Sequence, residues 1–410
     1  MKKMKPSGVE WIGDIPQEWE INNAFQIFGQ VKNKNIGLRE TNLLSLSYGK
    51  IKRKSISTVG GLLPENFDGY NIIEANDIVL RLTDLQNDHT SLRVGLATER
   101  GIVTSAYLTL RNKSSNFAEY LYYYLHSFDL VKGFYGMGSG VRQGLNWDDL
   151  KGLIIILPPL PEQQRIAEFL DRKCAEIDSV ISKTKATIEQ YKALKQSVIT
   201  QAVTKGIRPD RPMKDSGIEW IGEIPQEWKI SRVKYECECL DQLREPVTAD
   251  LRSHNNPQYD YYGASGVIDK IDFYNVDDTV LLIGEDGANL VMRNLPLVYK
   301  AKGRFWVNNH AHILKPYEHN IYNYMAYLLE AGDYTLYITG SAQPKLSQAN
   351  LMAFPILHVP TLEQQEIADY LDSKCAEIDR LIAAKEQLLT ELESYKKSVI
   401  YEYVTGKKEV

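Results

Sequence analysis

Pro161-Glu162-Gln163-Gln164-Arg165-Ile166-Ala167-Glu168-Phe169-Leu170-Asp171 opens a stretch that runs to Gly206 and reads as one long helix. Apolar or semi-apolar residues recur at Leu170, Cys174, Ile177, Ile181, Thr184, Ile188, Tyr191 and Val198, in steps of four and three interrupted at Lys195. Such steps keep a seam on one helix face and suit a coiled-coil partner. Pro161 fits the first helical position, where its missing N–H costs nothing, and Lys205-Gly206 before Pro209 supplies the stop. The partner lies in the same chain. Residues 363–404 repeat the pattern at a constant offset, with Leu371, Cys375, Ile378, Ile382, Leu389, Leu392 and Val399 on the seam. Thr361 and Gln364 there fit a capping box. At roughly 43 residues each, the helices are about 64 Å long, more than an ordinary core needs. They either stiffen the protein or hold two things a fixed distance apart.

Working outward, the chain is one unit written twice, the kind of self-similarity to be sought first. Ser7-Gly8-Val9-Glu10-Trp11-Ile12-Gly13-Asp14-Ile15-Pro16-Gln17-Glu18-Trp19 returns as Ser216-Gly217-Ile218-Glu219-Trp220-Ile221-Gly222-Glu223-Ile224-Pro225-Gln226-Glu227-Trp228. Paired tryptophans around Gly and Pro predict a short, turn-rich plug whose rings bury against a neighbour. The second plug directly follows the first helix, so the first is expected near the end of the second helix, around Val399–Tyr403. After each plug comes a block that resembles its counterpart only faintly, 22–157 and 231–359. Within them, 76–81 corresponds to 277–282 as a turn followed by a strand-like run, and 104–110 loosely to 308–314. A tyrosine-rich helical stretch then leads to a glycine-serine loop, 136–140 or 340–343. The implied division is 1–160 plug and variable domain, 161–206 spacer helix, 207–360 second plug and domain, and 361–410 second spacer helix. Domains of this size are ordinary.

Composition narrows the class. The 410 residues are 43% hydrophobic and 25% charged, as in ordinary globular chains of two or more domains. No run of eighteen apolar residues occurs, and Met1-Lys2-Lys3-Met4-Lys5-Pro6 lacks an apolar signal core, so a cytoplasmic, non-membrane protein is expected. Of the four cysteines, Cys174 and Cys375 fall on the seams, and Cys237/Cys239 lack a second ligand pair. No metal and no cofactor are therefore expected. A net charge of −5 argues against coating nucleic acid by bulk charge but leaves room for local patches.

Catalytic motifs are missing. No G-x-x-x-x-G-K-[ST] loop occurs, and Gly136/Gly138/Gly140 do not fit a dinucleotide fingerprint. Asn256-Pro257-Gln258-Tyr259 faintly echoes an adenine-methyltransferase loop but lacks its second proline, and reads as a turn. His310 and His312 alternate on an expected strand, more in keeping with core or groove histidines than metal ligands. Contact residues are better represented. Lys50, Lys52, Arg53 and Lys54 form a basic run; Ser139, Arg142, Gln143 and Asn146 flank the first glycine loop, and Gln343 and Lys345 the second. Basic side chains of this kind neutralise phosphates, while Arg, Gln and Asn can read base edges. Over 231–357, however, Asp and Glu outnumber Lys and Arg by 15 to 11, which weakens the electrostatic case in the second block.

The Pro-Pro-Leu-Pro-Glu-Gln-Gln-Arg-Ile-Ala sequence at 158–167, the long helix and the duplicated Trp-Ile-Gly-x-Ile-Pro-x-x-Trp plug together resemble the specificity subunit of type I restriction–modification systems. The resemblance covers the whole chain. It implies a mixed α/β fold with an internal pseudo-two-fold repeat: two α/β target recognition domains joined by two long antiparallel coiled-coil helices. It implies that each domain reads half of a bipartite double-stranded DNA site. The seam formed by Leu170, Ile177, Ile181 and Ile188 with Leu371, Ile378, Ile382 and Leu389 would set the gap. In that family the subunit is not itself an enzyme; two methylation subunits dock on it to modify adenine, and restriction subunits add translocation and cleavage. Two other classes stand beside this reading: a recognition fragment of a fused restriction–methyltransferase enzyme, and a coiled-coil scaffold that binds only protein.

Overall fold

The structure is a computed structural model that describes residues 3–55, 66–88, 90, 92–137, 144–252 and 258–410. It divides into two compact units, Met1–Lys185 with Gln387–Val410, and Ala186–Glu386. The division passes through both long helices, so each unit holds one half of each. Asn256 and Pro257 lie outside the described residues.

In the first unit the core sheet is built from β1 (Phe28–Gln30), β2 (Ile78–Leu80), β3 (Val94–Leu96) and β4 (Leu108–Asn112), in the antiparallel order β1-β4-β2-β3. A separate antiparallel pair joins Glu20–Asn23 to β5 (Ile154–Leu157). Helix α1 (Ala118–Leu130) packs on this sheet, and β5 leads into the long helix α2 (Leu160–Lys205). The second unit repeats the plan. β6 (Cys237–Cys239), β7 (Val276–Gly284), β8 (Val298–Val307) and β9 (Ala311–Pro316) take the matching order β6-β9-β7-β8, extended by Tyr259–Gly263 and Gly266–Ile271. Lys229–Arg232 pairs with β10 (Pro355–His358), α3 (Tyr322–Ala331) corresponds to α1, and α4 (Thr361–Val404) to α2. Two blocks of faint sequence likeness thus share one strand order.

The Glu-Gln-Gln steps at 162–164 and 363–365 are framework. Trp19 Nε1 donates to Glu162 Oε2 (3.2 Å), and Trp228 Nε1 to Glu363 Oε2 (2.9 Å). Gln163 is buried; its Oε1 accepts from the Phe117 backbone N (2.9 Å) at the start of α1, while its Nε2 reaches Asn116 Oδ1 and Pro158 O. Gln364 repeats each bond with Ile321 N, Asn320 Oδ1 and Val359 O. About two turns further along each helix, Tyr123 donates to Asp171 and Tyr327 to Asp372 (2.7 and 2.8 Å). The capping box expected at Thr361/Gln364 does not form. Gln364 is spent on α3, and Thr361 Oγ1 donates to His319 O (2.8 Å). α2 also starts at Leu160 rather than Pro161. Because a buried polar group left unpaired costs about 1–3 kcal/mol, Gln163→Leu and Gln364→Leu should each lower stability by at least that much. Equal amide hydrogen exchange at 117–123 for the first variant, and at 321–327 for the second, in variant and parent would show that these clamps carry nothing.

The first plug packs where expected. Ile12, Ile15 and Trp19 share a core with Val399, Ile400 and Val404, and Tyr401 Oη donates to Trp11 O (3.0 Å). Gly206 and Gly406 follow the two helices with positive φ (75° and 72°), the left-handed stop that glycine favours. In the first unit Lys396 pairs with Asp178 (2.6 Å); in the second, Lys195 pairs with Asp379 (2.7 Å). In the first unit Phe169, before Asp178, also meets Tyr403, after Lys396, and in the second Arg208, after Lys195, pairs with Glu366, before Asp379, so the helix halves are antiparallel in each unit. The interruption at Lys195 is therefore an ion-pair position. Leu170, Ile177, Ile188, Leu371 and Ile378 are buried, whereas Ile181, Ile382 and Leu389 are half-buried. Burial is deepest at the helix ends, where Ile199, Ala202 and Val203 take over from Val198. No described helix is long and apolar enough to cross a membrane.

Candidate nucleic-acid interface

The basic run of the first block lies on a strand rather than a loop. Leu44–Ser47 and Lys50–Arg53 form an antiparallel hairpin with Ser47 opposite Lys50. Its tip is Tyr48-Gly49, both at positive φ (47° and 74°), as a two-residue turn of the primed type requires. Tyr48 is 77% exposed at that tip. Alternation along the strand splits the run. Ile51 packs on a small core, and Arg53 Nε donates to Glu99 Oε1 (2.7 Å), a bond that holds the Glu99 carboxyl below its usual range. Lys50 Nζ lies 3.7 Å from Asp178 on α2. Lys52 and Lys54 are exposed and have no acidic partner among the described residues.

The glycine-loop candidates divide in the same way. Ser139, Arg142 and Gln143 lie outside the described residues. Asn146 caps the short helix Trp147–Leu150: its side chain accepts from Asp148 N (2.7 Å), and Asp149 answers at Asn146 N. Gln343 is exposed. Lys345 lies on a strand with Nζ 2.9 Å from Glu285, which also binds Arg244. Burial pushes the Glu285 carboxyl up, but the bonds from Lys345 and Arg244 outweigh it and hold the group below the usual carboxylate range. His312 is a core histidine, with Nδ1 2.6 Å from Asp241 and Nε2 2.8 Å from Leu346 O; His310 precedes the strand and meets Asp286. Both histidines are committed within the fold.

Sequence reading missed a second basic row. Lys300, Lys302 and Arg304 alternate along β8 and so share one face. Their charges stand over the rings of Tyr327, Tyr322 and Tyr274 at 5.0, 5.1 and 4.8 Å. Lys300 is 3.8 Å from Asp372, and Arg304 bonds Asp277, whereas Lys302 has no acidic partner among the described residues. The signal was Lys-x-Lys-x-Arg at the strand period of two, inside a block whose overall acidity hid it. Tyr48, Lys52, Lys54 and Lys302 offer cations and aromatic faces for contact rather than for bond making.

Two domains of one strand order, each rooted by a tryptophan plug on a long helix, define an internally duplicated recognition protein. The chain belongs to the type I restriction–modification specificity family: the family described as "Type I restriction modification DNA specificity domain" matches it twice, over residues 18–190 and 225–394. It is 25% identical over 424 aligned residues to the type I restriction enzyme MjaX specificity subunit of Methanocaldococcus jannaschii, covering 97% of this chain and 95% of that one. It is 31% identical to the specificity subunit S.HindORF215P of Haemophilus influenzae over 137 residues, a third of either chain. In fold it resembles a chain of a solved type I restriction–modification assembly (TM-score 0.72, 14% identity, 96% and 99% covered). The HsdS subunit of Thermoanaerobacter tengcongensis is a second likeness (TM-score 0.50, 15% identity, 96% and 98% covered).

Proposed function

We propose that this specificity subunit binds double-stranded DNA at a bipartite site, with each α/β domain reading one half. The helix pair sets the spacing and docks two methylation subunits, restriction subunits join the full complex, and the chain carries no catalytic centre of its own. The observation that carries this reading is the pairing of a repeated frame with divergent surfaces. Trp19/Glu162/Gln163/Asp171 and Trp228/Glu363/Gln364/Asp372 make the same contacts, yet the basic rows of the two domains differ in strand and in composition. Helices of 46 and 44 residues are about 66–69 Å long, or roughly 20 base pairs, an upper limit on the half-site separation. Mapping N6-methyladenine in the host genome with and without the gene tests the proposal. Loss of one bipartite motif on deletion is the expected result; an unchanged map in a host that methylates at such motifs overturns it.

Lys52 and Lys54 in the first domain and Lys302 in the second are proposed phosphate contacts, which position the protein without reading sequence. Neutralising Lys52 and Lys54 together should weaken binding to all sequences alike. It should also flatten the dependence of log affinity on log salt by up to about 0.9 for each lost contact. Affinity of the assembled complex measured over a salt series reads both effects, and an unchanged slope removes these residues from the interface.

A further inference from the structure

Three residues distant in sequence meet at the root of the second long helix. Glu236 ends the helical turn Val233–Glu236, His319 lies in the turn before α3, and His358 ends β10, just ahead of α4. One donor atom from each falls within 4.8 Å of the others. His319 Nε2 is 3.0 Å from Glu236 Oε2, and His358 Nδ1 is 3.1 and 3.3 Å from the two carboxylate oxygens. The Glu236 side chain is 4% exposed and those of His319 and His358 are 46% and 45%, so the cluster is walled by protein on one side and open to water on the other. Ser231 Oγ donates to Glu236 Oε1 (2.6 Å), and Asn320 Nδ2 to Oε2 (2.9 Å). Such outer partners orient a ligating carboxylate.

We propose that Glu236, His319 and His358 form a divalent-cation site suited to Zn2+, with water completing the coordination. Two imidazole nitrogens and one carboxylate are a donor set that zinc takes, at bond lengths of about 2.0–2.1 Å. Tetrahedral bonds of that length set neighbouring donors about 3.3 Å apart, close to the nitrogen–oxygen separations found here. The cation would tie the end of β10 to the turn before α3 and fix the point from which α4 departs. The first domain supplies an internal control. Its equivalent positions are Ile27, which ends the turn Ala24–Ile27, Leu157, which ends β5, and Ser115 before Asn116. Ile27 and Leu157 are buried in an apolar core, so the chain should bind one ion and not two. The site is independent of which DNA the domains read.

Tag-free full-length chain, stripped with a chelator, should bind one equivalent of Zn2+ in calorimetry and unfold at a higher temperature when loaded. With Co2+ it should gain visible absorption bands of a site with low coordination number. His319→Ala and His358→Ala should each lose that equivalent, while His310→Ala keeps it. Ser231→Ala, which removes only the carboxylate's outer partner, should keep the stoichiometry and lose about 10- to 100-fold in affinity. Should the histidine variants fail to fold, the parent's Co2+ spectrum and the Ser231→Ala affinity still decide. Absence of a bound equivalent in the parent overturns the proposal. So does binding that persists in both folded histidine variants, or an affinity unmoved by Ser231→Ala.

Discussion

Trp228→Ala should destabilise the second unit by about 3–5 kcal/mol, the range for emptying a buried aromatic site. The side chain is wholly buried among Ile199, Ala202, Val203, Ile221 and Ile224, where the plug closes over the end of α2 and the start of α4. Its indole N–H holds Glu363, and the Arg211 guanidinium, which also pairs with Glu363, stands 5.4 Å over the ring. Removing the ring therefore opens a cavity and takes one donor from a buried carboxylate. Trp228→Phe separates the two effects: it keeps most of the apolar surface and should cost only about 1–3 kcal/mol for the lost bond. A chain of two units need not unfold in one step, so a single melting temperature is a poor readout. Amide hydrogen exchange reads each unit separately. In Trp228→Ala, amides of 223–232 and 361–368 should exchange roughly two to four powers of ten faster, with those of 20–30 and 108–130 as unchanged references. A change of less than tenfold would mean that the plug is an appendage and not part of the core.

The plug shows how much of the fold is legible in a sequence and why. Repetition exposes whatever the frame needs, so the helices, the plugs and the docking of the first plug near Val399–Tyr403 could be read from the repeat, while the bond from Tyr401 to Trp11 O is seen only in the structure. Local signals fare worse where a tertiary partner competes for the same group. Gln364 has the right position for a capping box, yet its amide satisfies the backbone at Ile321 and Val359 instead. Among the candidate contact residues, Asn146 also caps a short helix through its neighbours Asp148 and Asp149, and Arg53 also pairs with Glu99. The Glu236, His319 and His358 cluster has no sequence signature, because its histidines stand 83 and 122 residues from the carboxylate. Tyr48 needed the hairpin register before its exposure at the tip could be seen.

Removing one heptad from both long helices, 180–186 and the matching 388–394, should shorten the spacer of the methylated motif by about three base pairs. Seven residues at 1.5 Å are about 10.5 Å, and base pairs stack roughly 3.4 Å apart. The choice of segments follows from the antiparallel pairing of Asp178 with Lys396 and of Lys195 with Asp379, both of which the deletion leaves intact. Seven residues also nearly preserve the facing seam, since an α-helix drifts only about 20° per heptad. The removed segments carry the half-buried Ile181 and Leu389, whereas the buried residues that anchor the plugs lie outside them. Deletion from one helix alone would break the register, and that variant should fail to fold. DNA turns by roughly a third of a turn over three base pairs, far more than the helices do, so the shortened protein should methylate more slowly at its new spacing. Long-read mapping of N6-methyladenine in a host carrying only the variant measures both quantities. Unchanged half-sites around a shorter gap would establish the helices as the ruler. The original gap, methylated as fully as before, would place the determinant of spacing in the domains instead.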